Sequence, residues 1–198
     1  GMHEIVKAMV SLAEEMGVKI LLDHEVEKVE IKGSNITALN TAKGQFEADV
    51  VINAADYQYF EQSLLPKSHR QYSAKYWDNR AMAPSSLLYY LSVDEKVAGI
   101  LHHTLFFDED FDQHAKEIYT NPQWPSKPLF YVSATSKTDP NAAPEGKENV
   151  FLLMPLAPGL EDSKDQRETY YQMMMDRLEA HTGQEIRSKI SYKRSDAM

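Results

Sequence analysis

The stretch that most constrains this chain runs from Phe46 to Asp56 and reads Phe-Glu-Ala-Asp-Val-Val-Ile-Asn-Ala-Ala-Asp. Val50, Val51 and Ile52 are consecutive and β-branched. Such a run predicts a strand covered on both faces, because a strand with one wet face would alternate apolar and polar residues. Asn53, Ala54 and Ala55 then leave almost no side chain at the carboxyl end of that strand. In open α/β sheets this end is where ligands sit, and small residues let a cofactor approach the backbone. A tight turn after a core strand is the alternative, and these residues alone leave both readings open.

The rest of the first half supports an α/β-like start. Met2, Ile5, Val6, Met9, Val10, Ala13 and Met16 recur at helical spacing, with Gly17 placed to stop the helix. Val18 to Leu22 reads as a strand, so helix, glycine and strand follow directly. Val26 to Ile31, Ile36 to Thr41 and Phe46 to Asn53 form a meander of short strands with turns at Gly33-Ser34-Asn35 and Lys43-Gly44. The Glu27-Lys28 pair breaks the alternation and predicts a bulge. Tyr57 to Leu65 is a short helix capped by Asp56 and ended by Pro66. His69 to Trp77 is weakly helical. Gly1 is open to two readings, an added residue or the end of a native turn.

Asn79 to Pro84 reads as a linker, giving two domains, 1–83 and 84–198. In the second, Ser85 to Val93 is a strand with Leu87, Tyr89, Leu91 and Val93 on one face. Strands are expected at His102 to Phe107, Leu129 to Ala134, Asn149 to Leu156 and Ile186 to Lys193, the third ended by Pro155 and Pro158. Helices are expected at Phe111 to Tyr119, with an acidic start, and at Ser163 to His181. The fold class is α+β with an α/β-like N-terminal part. It combines a partial βαβ unit and β-meander with a second domain of mixed sheet and helices.

Composition removes several kinds of chemistry. The 198 residues hold no cysteine, which excludes disulfides, thiolate metal sites and cysteine nucleophiles. A net charge of -9 with scattered Lys and Arg argues against nucleic acid. The mean hydropathy of -0.50 and the absence of a long apolar run argue against a membrane-embedded chain. No signal-peptide pattern is present, so a cytoplasmic location is expected. The eight glycines, at 1, 17, 33, 44, 99, 146, 159 and 183, never approach one another. G-x-G-x-x-G, the P-loop and G-x-S-x-G are therefore all absent. Asp108, Asp110 and Asp112 have the opening spacing of a calcium loop, but Gln113 and Tyr119 break the motif, and an acidic helix start explains them better. His102 and His103, adjacent on a strand, are expected to point to opposite faces, so no metal site is expected. Asn35-Ile36-Thr37 matches a glycosylation sequon but reads as a plain turn. Met173 to Met175 and the tyrosine-rich segments read as core, with an apolar ligand pocket as the alternative. Spacing names no catalytic residue.

Several segments together resemble one family. Gly1-Met2-His3-Glu4-Ile5-Val6 with Leu12 to Gly17 is similar to the helix after the Gly-Gly-Met turn of bacterial phytoene desaturases, which are FAD-dependent flavoproteins of the amine-oxidase-like group. Glu25 to Val29 is similar to the family's E-V-x-x-I strand, and Ala48 to Asp56 to its A-D-x-V-V-S-N-A-D segment. His102 to Phe107, Ser136 to Pro140, Ala143 to Gly146 and Phe151 to Pro155 continue the series in order. The resemblance implies that Val26 meets the adenine of FAD through its backbone and that Asn53, Ala54, Ala55 and Asp56 lie near the dinucleotide. It places residues from about 84 onward in a substrate domain whose sheet covers an apolar polyene. It implies hydride transfer between a carotenoid-like carbon–carbon bond and flavin, which does the chemistry. Asn53 and Ala54 stand where the family has Ser and Asn.

The family's glycine-rich fingerprint and its C-terminal segment do not occur in this sequence. The expected reading is an internal fragment that neither holds FAD nor turns over substrate alone. It should expose an apolar patch or bury it in a homodimer. Peripheral membrane contact accompanies a polyene substrate, although no basic amphipathic helix carries it. The rival reading is a free-standing module that binds an apolar ligand or a protein without catalysis. A hydrolase has no motif to support it.

Overall fold

The computed structural model describes residues 2–80 and 82–197; Gly1, with the two readings it left open, Ala81 and Met198 lie outside the described residues. The fold is α+β, and the chain divides into two compact units, Gly1–Ala81 and Met82–Met198.

The first unit opens with α1 (His3–Glu15), and Gly17 closes it at φ +85°, donating its N–H to the Glu14 carbonyl at 2.9 Å. No residue of α1 is buried. Three antiparallel strands follow in the order β1 (Val26–Lys32), β2 (Asn35–Thr41) and β3 (Gly44–Glu47). Register slips between Val26 and Lys28, which is the bulge expected at Glu27. Val29 and Ala38 are the buried residues of this sheet.

One expected strand does not form and another stops short. Val18 to Leu22 is exposed and runs into a turn at Asp23, a residue held at φ +56°. The strand expected from Phe46 to Asn53 ends at Glu47. Val50 and Ile52 are 78% and 86% exposed instead of covered on both faces. The reason is shared. A strand is held by pairing its N–H and C=O groups with a neighbour, and among the described residues no strand pairs with either segment. The exposed apolar surface expected of this region is present on α1 and these two segments.

Asp56 caps the next helix as expected, its carboxylate accepting the Tyr59 N–H at 2.6 Å. That helix, α2 (Tyr57–Tyr59), widens into one π-helical turn, Phe60–Leu64, closed by Leu65 N–H to Phe60 carbonyl at 3.2 Å. The weak helix expected over 69–77 is a 3-10 turn at Lys67–His69 followed by α3 (Ala74–Asp78), which Ser73 caps.

The second unit is a five-stranded sheet with helices. Its elements are β4 (Ser85–Val93), β5 (His103–Phe106), α4 (Phe111–Tyr119), β6 (Phe130–Ser133), β7 (Glu148–Leu156), α5 (Lys164–Thr182) and β8 (Ile190–Ala197). The strand order is β5-β6-β7-β4-β8, and every pairing is antiparallel. One face of the sheet is core. Leu87, Tyr89, Leu91 and Val93 of β4 alternate inward, as do Val150, Leu152, Met154 and Leu156 of β7. In the same buried cluster lie Tyr170, Tyr171, Met174, Met175 and Leu178 of α5. The methionines are therefore core and not a ligand pocket. Ser163 caps α5, and Gly183 ends it in the left-handed region at φ +68°, a conformation that costs a residue with Cβ.

Two boundaries move. Pro155 lies inside β7 instead of ending it. It pairs with Ser86 of β4, while β6 pairs only with Phe151 to Leu153, so the proline stands past the end of that ladder. The last strand begins at Ile190, because Ile186 is fully buried in the core and Arg187–Lys189 forms a 3-10 turn. Among the described residues no helix is long and apolar enough to cross a membrane.

Candidate functional site

The first unit holds a cleft of about 260 Å³ with largely apolar walls. Val26 and Leu39 come from β1 and β2, Val51 to Asn53 and Ala55 from the segment after β3, and Tyr59, Phe60 and Leu64 from α2 and the π turn. The π turn matters here. Its wider backbone adds a residue to the helix, and both Phe60 and Leu64 line the cleft. Of the five residues singled out from sequence, the cleft brings together Val26, Asn53 and Ala55. Ala54 is exposed and off the cleft, and the Asp56 carboxylate is engaged at the cap of α2. Asn53 secures its own turn, with Ala55 N–H donating to Asn53 Oδ1 at 3.2 Å and Asn53 Nδ2 donating to the Ala55 carbonyl at 3.4 Å. This is the self-bonding that lets Asn stand at a strand end without a partner strand.

A buried carboxylate backs the cleft. Glu61 is almost fully buried and accepts the backbone N–H groups of Gln71 at 2.6 Å and Tyr72 at 3.3 Å, with the Tyr57 hydroxyl also at 3.3 Å. It thereby ties the π turn to the segment that follows Pro66. Burial, then the Glu61 charge, raises the Tyr57 hydroxyl above the ordinary tyrosine range. Tyr57, Tyr72, Tyr76 and Trp77 pack edge to face or stacked around this tie. Neither Glu61 nor the π turn was legible in sequence; an acidic residue inside a short apolar helix was the only signal.

The second unit presents a different surface. The sheet face opposite α5 is apolar and partly open. Leu105, Tyr131, Leu153 and Leu88 lie side by side in register across β5, β6, β7 and β4, a row of about 14 Å at the usual strand spacing. The adjacent row is His103, Ser133, Phe151 and Tyr90. Near one end of this face a cavity of about 210 Å³ opens, lined by Leu105, Tyr131 and Leu153 of the sheet and by Phe111, Ala115 and Ile118 of α4. His114 of α4 also reaches it but is committed to structure. Leu129 N–H donates to its Nδ1 at 2.8 Å, so Nε2 carries the proton toward the Pro155 carbonyl at 3.2 Å. With Nδ1 accepting, the ring is neutral, and burial lowers its pKa from the ordinary histidine value despite the opposing Pro155 bond. Glu117, also buried, accepts from Gln113, Gln123 and Ser126 and so orders the proline-rich loop.

The metal readings find no support. Asp110 caps α4, accepting the Gln113 N–H at 2.9 Å, and Asp108 pairs with Arg177. Among the described residues no group of three metal-ligating side chains comes together. His102 and His103 do not point apart as expected, because His102 precedes β5 and escapes strand alternation; their rings stack at 4.2 Å.

Comparisons with known proteins agree on one family. The model of the flavin containing amine oxidoreductases matches residues 1–196. The chain is 36% identical over all 198 residues to the carotenoid 3,4-desaturase of Haloarcula japonica, of which it covers 40%. It is 30% identical over 167 residues to the phytoene desaturase of Fusarium fujikuroi, covering 83% of this chain and 29% of that one. Among solved structures, an oxidoreductase from Methanosarcina mazei superimposes on 98% of the chain and 42% of its own length, with a TM-score of 0.66 at 18% identity, which shows a shared fold. The chain thus spans less than half the length of these relatives.

Proposed function

Since the chain belongs to the flavin containing amine oxidoreductases, we propose that it forms part of an FAD-dependent desaturase or saturase acting on a carotenoid-like polyene. The observation that carries this reading is the in-register apolar face of the second unit, a wall of Tyr90, Leu105, Tyr131, Phe151 and Leu153 left partly open beside the buried Leu88. A rigid conjugated chain has long flat faces and no polar group along its length, which is what such a wall receives. The similarity of residues 1–198 to part of a carotenoid desaturase supports the same substrate class.

The first unit supplies part of the cofactor site. Its cleft suits a flat ring of purine size and is too small for a whole dinucleotide. Val26 would present backbone to the adenine, while Asn53 and Ala55 keep the neighbouring wall low. Ala54 and Asp56 would act through the turn that carries them. When bound, the flavin supplies the redox chemistry, exchanging hydride with a carbon–carbon bond of the substrate. The apolar wall positions the polyene and excludes water from that exchange. The glycine-rich phosphate-binding turn would come from outside residues 1–198, so this chain alone is expected not to retain FAD.

The test starts from the gene. A reading frame that carries a strand, G-x-G-x-x-G and a helix upstream of this chain should yield a yellow protein that shifts polyene absorbance to longer or shorter wavelength as conjugation grows or shrinks. A complete protein without flavin, or one with flavin that leaves all polyenes unchanged, would overturn the reading.

A further inference from the structure

At the β5 edge of the apolar face, polar groups interrupt the pattern. His103 and Leu105 share that face, and the His103 ring lies 5.8 Å from that of Tyr131 at 23°. Its Nδ1 is hydrogen-bonded to the Tyr131 hydroxyl. The ring also stacks on His102, whose Nδ1 is in turn held by the Thr138 hydroxyl at 2.6 Å. Two neighbours, Tyr131 by its hydrogen bond and His102 by stacking, thus fix the orientation of an exposed imidazole, and Thr138 holds His102 in its turn. The position is specific. His103 lies two residues along β5 from Leu105, which lines the apolar cavity beside α4. A molecule seated in that cavity and running over the sheet passes the imidazole at roughly 7 Å along the strand.

The remaining nitrogen is spare. Among the described residues His103 Nε2 has no hydrogen-bond partner. Its character depends on the tautomer. If the Tyr131 hydroxyl donates to Nδ1, then Nε2 bears the proton and donates; if Nδ1 donates to the Tyr131 oxygen, Nε2 accepts. A hydroxyl group both donates and accepts, so it satisfies either state. A carbonyl satisfies only one, and a hydrocarbon end leaves the nitrogen unpaired as the ligand displaces its water.

We propose that the His103–Tyr131 pair, braced by His102 and Thr138, reads a hydroxyl on the end group of the polyene and selects oxygenated over purely hydrocarbon substrates. This rests on the apolar-face reading above and adds to it which end groups the site prefers.

The experiment measures binding of zeaxanthin and β-carotene, which differ only in ring hydroxyls, delivered to the 198-residue chain from detergent micelles and read by co-elution and spectral shift. Zeaxanthin should bind about three- to tenfold more tightly, the worth of one net hydrogen bond. His103→Phe should bring zeaxanthin down to the affinity of β-carotene and leave β-carotene unchanged. His103→Gln, which keeps a donor and an acceptor, should restore part of the preference. Equal binding of the two polyenes by the native chain, or a preference that survives His103→Phe, would overturn the hydroxyl inference and leave the apolar face standing. Failure of both polyenes to bind would overturn the apolar-face reading and this inference with it.

Discussion

Glu148 shows how much one side chain can decide in this protein. It begins β7 with its carboxylate fully buried, paired with Lys137 at 2.7 Å and Lys96 at 3.5 Å, and the Ser136 hydroxyl donates to it. Burial pushes its pKa up, but Lys137 and Ser136 outweigh that and hold it below the usual carboxylate value of 4.5. A depressed carboxylate contributes stability above the unfolded pKa and loses it as pH falls through the folded one. Glu148→Gln should therefore cost about 2 kcal/mol at neutral pH, since it leaves Lys137 facing an uncharged partner. Urea midpoints measured from pH 7 to pH 3 should show part of the native chain's acid loss missing in the variant. His114 acts in the same direction at a higher window. Its pKa is lowered by burial, so the unfolded chain binds a proton that the folded chain refuses. Stability should decline as pH drops below about 6.5, the ordinary histidine value, and His114→Phe should flatten that segment of the profile.

At the scale of elements, similar apolar residues meet opposite fates. Met174 in α5 is fully buried and Met9 in α1 is 68% exposed, yet both sit within regular helices. Met174→Ala should destabilise by about 3 kcal/mol through lost burial and the cavity left behind. Met9→Glu should change unfolding free energy by less than about 0.5 kcal/mol while reducing self-association seen by light scattering. Periodicity made α1, β4, α4 and α5 legible, and Gly17 and Gly183 marked their ends. The same logic failed for 18–22 and 50–52, whose composition was right but whose backbone partners are missing. It also failed for His102, since alternation holds only inside a paired strand.

At the scale of the whole molecule, the two units divide the labour proposed for them. One offers a cleft large enough for part of a cofactor, the other an apolar wall. Purified with excess FAD and desalted, the chain alone is expected to keep well under one flavin per molecule; stoichiometric flavin absorbance would sink the partial-site reading. The sequence by itself determined the α+β class, the elements whose apolar period needs only one covering face, the cap at Asp56, the start of the long helix at Ser163, and the ordered motifs that place the chain in its family. These are local properties, readable because spacing and capping chemistry act within a few residues. Only the tertiary structure decided that Val50 and Ile52 are exposed, that a π turn opens the cleft to Phe60 and Leu64, that Pro155 stays inside a strand, and that His103 meets Tyr131. Each depends on which distant backbone or ring lies alongside, and a strand or a hydrogen-bonded pair has no existence until that neighbour is in place.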